Sequence, residues 1–261
     1  MKKNKVNARV FTSLLLVLVF ISLIFTGCKM GVDKEYEYNT EILSNENAPV
    51  EGDADVAAIT GYVEDSEQKL AQLPYSISDT DLVVTSIGKY SGVYSELGEN
   101  EDVSEILAVV VENTSDKVVS YSSLTIEYDD EKACSFSPTN LPPHQSALVF
   151  SNSEAVPYAD VKKFECTDSM AVMAKELPLL KDVVGVDFVD GQFVVTNLTP
   201  DDLGDVYIRY KTCTDGNAFL GGITYSVTVP DVKGYETYKV DAENFDETSS
   251  VIIAVENLKT E

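Results

Sequence analysis

Four cysteines, one histidine and 44 acidic residues are the groups through which this chain of 261 residues could do chemistry. Cys28 stands apart by its setting. It follows Thr26 and Gly27 at the end of an apolar run over 10–25 that only Thr12, Ser13 and Ser22 interrupt, with Lys2, Lys3, Lys5 and Arg9 ahead of it. A charged start, a greasy stretch and small residues form the pattern of an export leader. A thiol placed where such a leader is cut is a nucleophile open to capping. The run is shorter than the ~20 residues a membrane span needs and a polar acidic segment follows it, so a cleaved leader is expected rather than a span.

The other reactive groups lack a constellation. Cys134, Cys166 and Cys213 have no C-x-x-C spacing, and zinc sites of such ligands need closely spaced pairs, usually with histidine. They read as small apolar strand residues, with a Cys134–Cys166 disulfide as the alternative that export would permit. A Ser-His-acid group would have to use His144, the single histidine, which follows Pro142 and Pro143 in a turn, and no G-x-S-x-G elbow exists. Carboxylate pairs abound, as in Asp129-Asp130-Glu131 or Asp201-Asp202 with Asp205, but they lie in turns where both acids stay solvated. Glycosidase chemistry needs two acids in a cleft with pKa values pushed apart. Calcium would suit these oxygens better, yet no D-x-D-x-D-G loop is present. Asp215-Gly216-Asn217 reads as a hairpin turn, and a solvated surface is the plainer reading of the acids. No catalytic residue, metal or cofactor is therefore expected.

Three further features have a structural and a functional reading. Asn113-Thr114-Ser115 and Asn197-Leu198-Thr199 fit the glycosylation pattern, but their matched placement favours Asn turns. Gly221-Gly222 inside a strand-like run marks a bulge or a close backbone approach, or else a place where a ligand or partner strand meets bare backbone. Fourteen tyrosines and no tryptophan supply strand filler or flat recognition surface.

Residues 29–55 are acidic, without apolar periodicity, and read as a tether. A coil of ~50 residues would reach roughly 40 Å. The stretch 56–73, with Ala57, Ala58, Glu64, Glu67, Lys69 and Ala71, has the best helix composition in the chain, weakened by Gly61 and closed by Pro74. From Leu82 the texture turns to short β-branched and aromatic runs between polar turns. The run 106–111 is apolar on both faces, while Leu124, Ile126 and Tyr128 alternate with polar residues; 132–136, 147–150 and 161–166 add short strands. The text then repeats: 193–199 answers 109–115, 206–210 answers 124–128, 238–240 answers 148–150, and 251–255 answers 161–165. Residues 170–180 would be a linker or short helix between repeats.

Formal charge is −25, and losing residues 1–27 removes four basic residues and no acid. Such an excess excludes a basic footprint for nucleic acid and a polybasic grip on lipid.

Ile24-Phe25-Thr26-Gly27-Cys28 resembles the lipobox of bacterial lipoproteins, with Phe25 where that pattern more usually carries Leu. The resemblance implies a diacylglycerol on the Cys28 thiol, cleavage before it, and palmitate-type acyl chains as the membrane anchor. The repeated strand, Asn turn and Tyr-ended strand resembles FxLYD-type and related immunoglobulin-like domains of exported bacterial proteins. The segments 141–146, 207–211 and 220–225 resemble tandem-domain lipoproteins of low-GC Gram-positive bacteria, over roughly 82–256, with His144 where a turn Gly is common. That family carries no activity over.

The expectation is an all-β chain: a leader over 1–27, an acidic tether over 28–75 with a short helix at 56–73, immunoglobulin-like antiparallel β-sandwiches over 76–169 and 183–261, and a linker over 170–182. It would sit on the outer side of the cell membrane as a non-enzymatic module binding a protein or glycan. The alternative is an accessory subunit of a transport or envelope-assembly complex.

Overall fold

The computed structural model describes residues 48–258 apart from Asp53, Gln68, Gly98 and Glu99. The leader, Cys28 and most of the tether lie outside the described residues. Within them the regular secondary structure is almost wholly antiparallel β: β1 (Tyr62–Glu64), β2 (Tyr75–Ser76), β3 (Leu82–Tyr94), β4 (Glu101–Asn113), β5 (Val118–Asp129), β6 (Lys132–Phe136), β7 (Thr139–Leu141), β8 (Ser146–Phe150), β9 (Glu165–Ala174), β10 (Val184–Val189), β11 (Gln192–Asn197), β12 (Gly204–Thr212), β13 (Phe219–Leu220), β14 (Tyr225–Val232), β15 (Thr237–Asp241) and β16 (Ser250–Leu258). No helix among the described residues is long and apolar enough to cross a membrane.

Four sheets result. In the first half β1-β3-β4-β8-β13, with β2 also on β3, faces β6-β5-β7 with β9 on β5; in the second, β10-β11-β15 faces β14-β12-β16. The pairing repeats. β3-β4-β8 corresponds to β10-β11-β15, and the β5/β9 pair corresponds to β12/β16.

The doubly apolar run of β4 is explained by two cores. Leu107, Val109 and Val111 face the core shared with β5 and β6, where Leu124, Ile126 and Phe136 lie. Ile106, Ala108 and Val110 face a second cluster with Tyr62, Tyr90, Leu148 and Phe150. The second half packs Val186, Phe193, Val206, Ile208 and Tyr210 into one core, with Phe245 against it, its ring centroid 4.8 Å from that of Phe193 and 5.4 Å from that of Tyr210.

Three expectations are corrected. The stretch 56–73 is not a helix: it holds only a 3-10 turn at Val56–Ala58 and strand β1. Composition is overridden by contact, because Tyr62 is buried with its hydroxyl 2.7 Å from Ser86 Oγ, and Ile59 packs in the outer core. Gly61 has φ +80, and a β-carbon there would lie 2.1 Å from the Ser91 carbonyl oxygen. Residues 48–76 thus belong to the body of the first half rather than to a free tether, with Leu70, Ala71 and Leu73 against the central core. The last strand of the first repeat is not 161–166 but Glu165–Ala174, which takes in the start of the expected linker; Val161 and Phe164 instead plug the core after a 3-10 turn at Tyr158–Asp160. It is therefore β9 that answers β16, each lying beside the central strand of its sheet.

Candidate functional site

The Asn turns come first, since the sequence marks them twice. Asn113 ends β4 and Asn197 ends β11, and both are buried. Asn113 Nδ2 donates to the carbonyls of Lys117 (2.7 Å), Pro142 (2.9 Å) and Leu141 (3.0 Å). Its Oδ1 accepts from the backbone N–H (3.1 Å) and hydroxyl (2.8 Å) of Ser115. Asn197 repeats this with the carbonyls of Asp201 and Lys233 and with the N–H and hydroxyl of Thr199. The hydroxyl of each Asn-x-Ser/Thr triplet thus closes a turn, and the amide nitrogens are consumed inside the fold.

His144 has φ +53, the left-handed backbone a turn glycine adopts without cost. Its Nε2 lies 3.0 Å from Asp116 Oδ1 and 3.8 Å from Glu51 Oε1, and its carbonyl accepts from Gly52 N at 2.7 Å. The backbone carbonyl therefore tethers the entering chain to the 142–145 turn, and the ring ties that turn to Asp116. Of the acidic turns, Asp129 is held below the usual carboxylate range by the Asp130 N–H, and Asp202 by the Gly234 N–H and by Lys233. Among the described residues no group of three or more His, Cys, Asp or Glu is placed to hold a metal. Asp215-Gly216-Asn217 forms a turn with Asn217 at φ +57, closed by Thr214 N donating to the Ala218 carbonyl at 2.7 Å.

Cys134, Cys166 and Cys213 are free thiols. Cys134 and Cys166 both pair with Ile126, from opposite sides of β5. Two strand spacings, about 9.5 Å, exceed the ~7 Å over which α-carbons can be bridged, so the alternative disulfide is not formed. Burial pushes Cys134 and Cys213 up to about 12 and raises Cys166 as well. Tyr62, Tyr90, Tyr94, Tyr128 and Tyr210 are core residues, whereas Tyr121 and Tyr235 are exposed. Tyr121 lies across from Val172, beside exposed Met170, on the outer face of the β5/β9 pair.

A buried polar site lies at the seam between the halves, and Gly221-Gly222 lies in it. After β12 the chain places Ala218 and Phe219 in the two cores of the first half, and β13 pairs in parallel with Ala147 and Leu148 of β8. Gly222 N donates to Glu96 Oε1 at 2.5 Å, and the same oxygen accepts from Phe150 N at 3.3 Å. The Gly222 carbonyl accepts from Thr139 N (2.8 Å), Thr139 Oγ1 (2.8 Å) and Lys211 Nζ (3.2 Å). Lys211, only 1% exposed, also donates to Ile223 O (2.5 Å), Thr139 O (3.0 Å) and Thr224 Oγ1 (3.3 Å), with the Phe219 ring centroid 5.6 Å away. Burial lowers its pKa to about 8 against the partial support of Glu96, while burial raises that of Glu96. Glu96 Oε2 is buried without a hydrogen-bond partner among the described residues. The close approach read from the two glycines is therefore made within the chain: a β-carbon at Gly222 would lie 2.7 Å from Ser137 O, and one at Gly221 (φ +78) 2.7 Å from Ser95 Oγ.

Sequence reasoning missed Glu96, Thr139 and Lys211. Lys211 adjoins Tyr210 on the opposite face of β12, and both are buried: Tyr210 faces the core of the second half, while Lys211 is covered by Thr139, Phe219 and 222–224, which only the fold brings there. The nearest signal was the glycine pair. Comparison with known protein families, characterised proteins and solved structures finds no match for this chain.

Proposed function

We propose that this chain is a lipid-anchored protein of the outer cell-membrane face, carried on acyl chains at Cys28, whose body is a non-enzymatic binding or structural module for a protein or glycan. The observation that carries the reading is the basic start, apolar run and Ile24-Phe25-Thr26-Gly27-Cys28 stretch. Two or more acyl chains give a stable anchor where one gives a marginal one, which an acidic body without a basic patch requires. The repeated strand order supports the finer reading of two tandem immunoglobulin-like sandwiches. The non-enzymatic part is supported by how the ionisable groups are used: Lys211 and Glu96 are committed to backbone partners, and His144 to carboxylates and a turn.

The test is metabolic labelling with a tagged fatty acid, followed by fractionation. The wild-type chain should take up label and follow the membranes, and Cys28→Ala should do neither. Membrane retention of processed Cys28→Ala protein, or unlabelled wild type, would remove the anchor. Crosslinking on intact cells would then identify the occupant of the exposed face.

A further inference from the structure

The segment 218–224 belongs to the second half by sequence and to the first by bonding. We propose that it is an internal strand donation that welds the two halves into one cooperative folding unit, and that Glu96 and Lys211 set its register by holding the N–H and the C=O of Gly222.

The need arises at β8. All five of its residues are buried, and without β13 its outer side would be a bare sheet edge, a template for unwanted pairing. β13 covers that edge, and Gly221 N extends the pairing to Leu148 O at 2.8 Å. The fit is two-sided, with Phe219 in the central core and Leu220 against the outer one. A one-residue slip would exchange these faces. A two-residue strand followed by two glycines has little apolar pattern of its own to prevent it, and the charges supply what is missing. The Glu96 carboxylate matches an N–H of the strap and the Lys211 ammonium matches its carbonyls; after a slip, Glu96 would keep only Phe150 N and Lys211 only Thr139 O, and each buried charge would lose its partners on the strap. Buried charges contribute little net stability but penalise mispairing heavily. The weld is not confined to the strap, because Val251 and Ile253 of β16 also enter the central core of the first half.

Hydrogen exchange and urea unfolding of the full chain test both parts. In the wild type, amides of 219–224 should be protected as long as those of β4, and all probes should report one transition. Glu96→Gln and Lys211→Met should each speed exchange in 219–224 by roughly tenfold or more, and the double variant by less than the product of the two, because no lone buried charge remains. Two separated transitions, or a strap that exchanges while β4 stays protected, would overturn the weld. Unchanged strap exchange in both single variants, or effects that simply multiply, would overturn the role of the charges. The wild-type pattern decides the weld even where a variant fails to fold.

Discussion

Asn113 and Asn197 show how much one amide can organise. Each ties the end of a strand to two neighbouring segments, so replacing either by Asp sets a carboxylate against carbonyls. Asn113→Asp should cost about 2–4 kcal/mol in urea unfolding, by loss of several buried bonds, and Asn197→Asp should fall in the same range. Lys211 makes a prediction in pH. Its ordinary value is 10.5 and its folded value about 8, so between these the unfolded chain holds a proton that the folded chain has released. Stability from this group therefore rises with pH across that window and is flat below it. Urea midpoints at pH 7.5, 9 and 10 should show the wild type gaining on Lys211→Met by on the order of 2 kcal/mol. The thiols give a third test. Native alkylation should reach half-exposed Cys166 before buried Cys134, and reductant should leave the electrophoretic mobility unchanged.

Elements were legible where their pattern is local. The run in β4, the alternation in β5 and the Asn turns could be read directly, because period-two alternation and turn chemistry involve neighbours in the chain. The stretch 56–73 was misread because its helical composition is outweighed by Ile59, Tyr62 and Gly61 docking on β3 and its neighbours, contacts that no window of sequence contains. Gly61→Ala should accordingly destabilise by about 1–3 kcal/mol, through its clash with Ser91 O and its positive φ. A mid-helix Gly→Ala change would instead stabilise. A thermal melt separates the two. The end of the first repeat was misplaced for a related reason: Val161 and Phe164 are apolar because they plug a core, not because they lie in a strand.

At the scale of the molecule, the described residues fall in one compact unit, and 48–75 is part of it. A chain begun at residue 76 should lose roughly 3–6 kcal/mol relative to one begun at 48, since Ile59 and Tyr62 would leave Tyr90, Ile106 and Phe150 uncovered; urea unfolding of the two would check this. The β class, the duplicated strand pattern and the Asn turns are written in the order of the residues, and so is the case for an anchor at Cys28, because each depends on a few consecutive side chains. The separation of Cys134 from Cys166, the burial of Lys211 and the donation of 218–224 to the neighbouring half depend on which distant segments meet. That is set by packing two cores at once, and only the tertiary structure decides it.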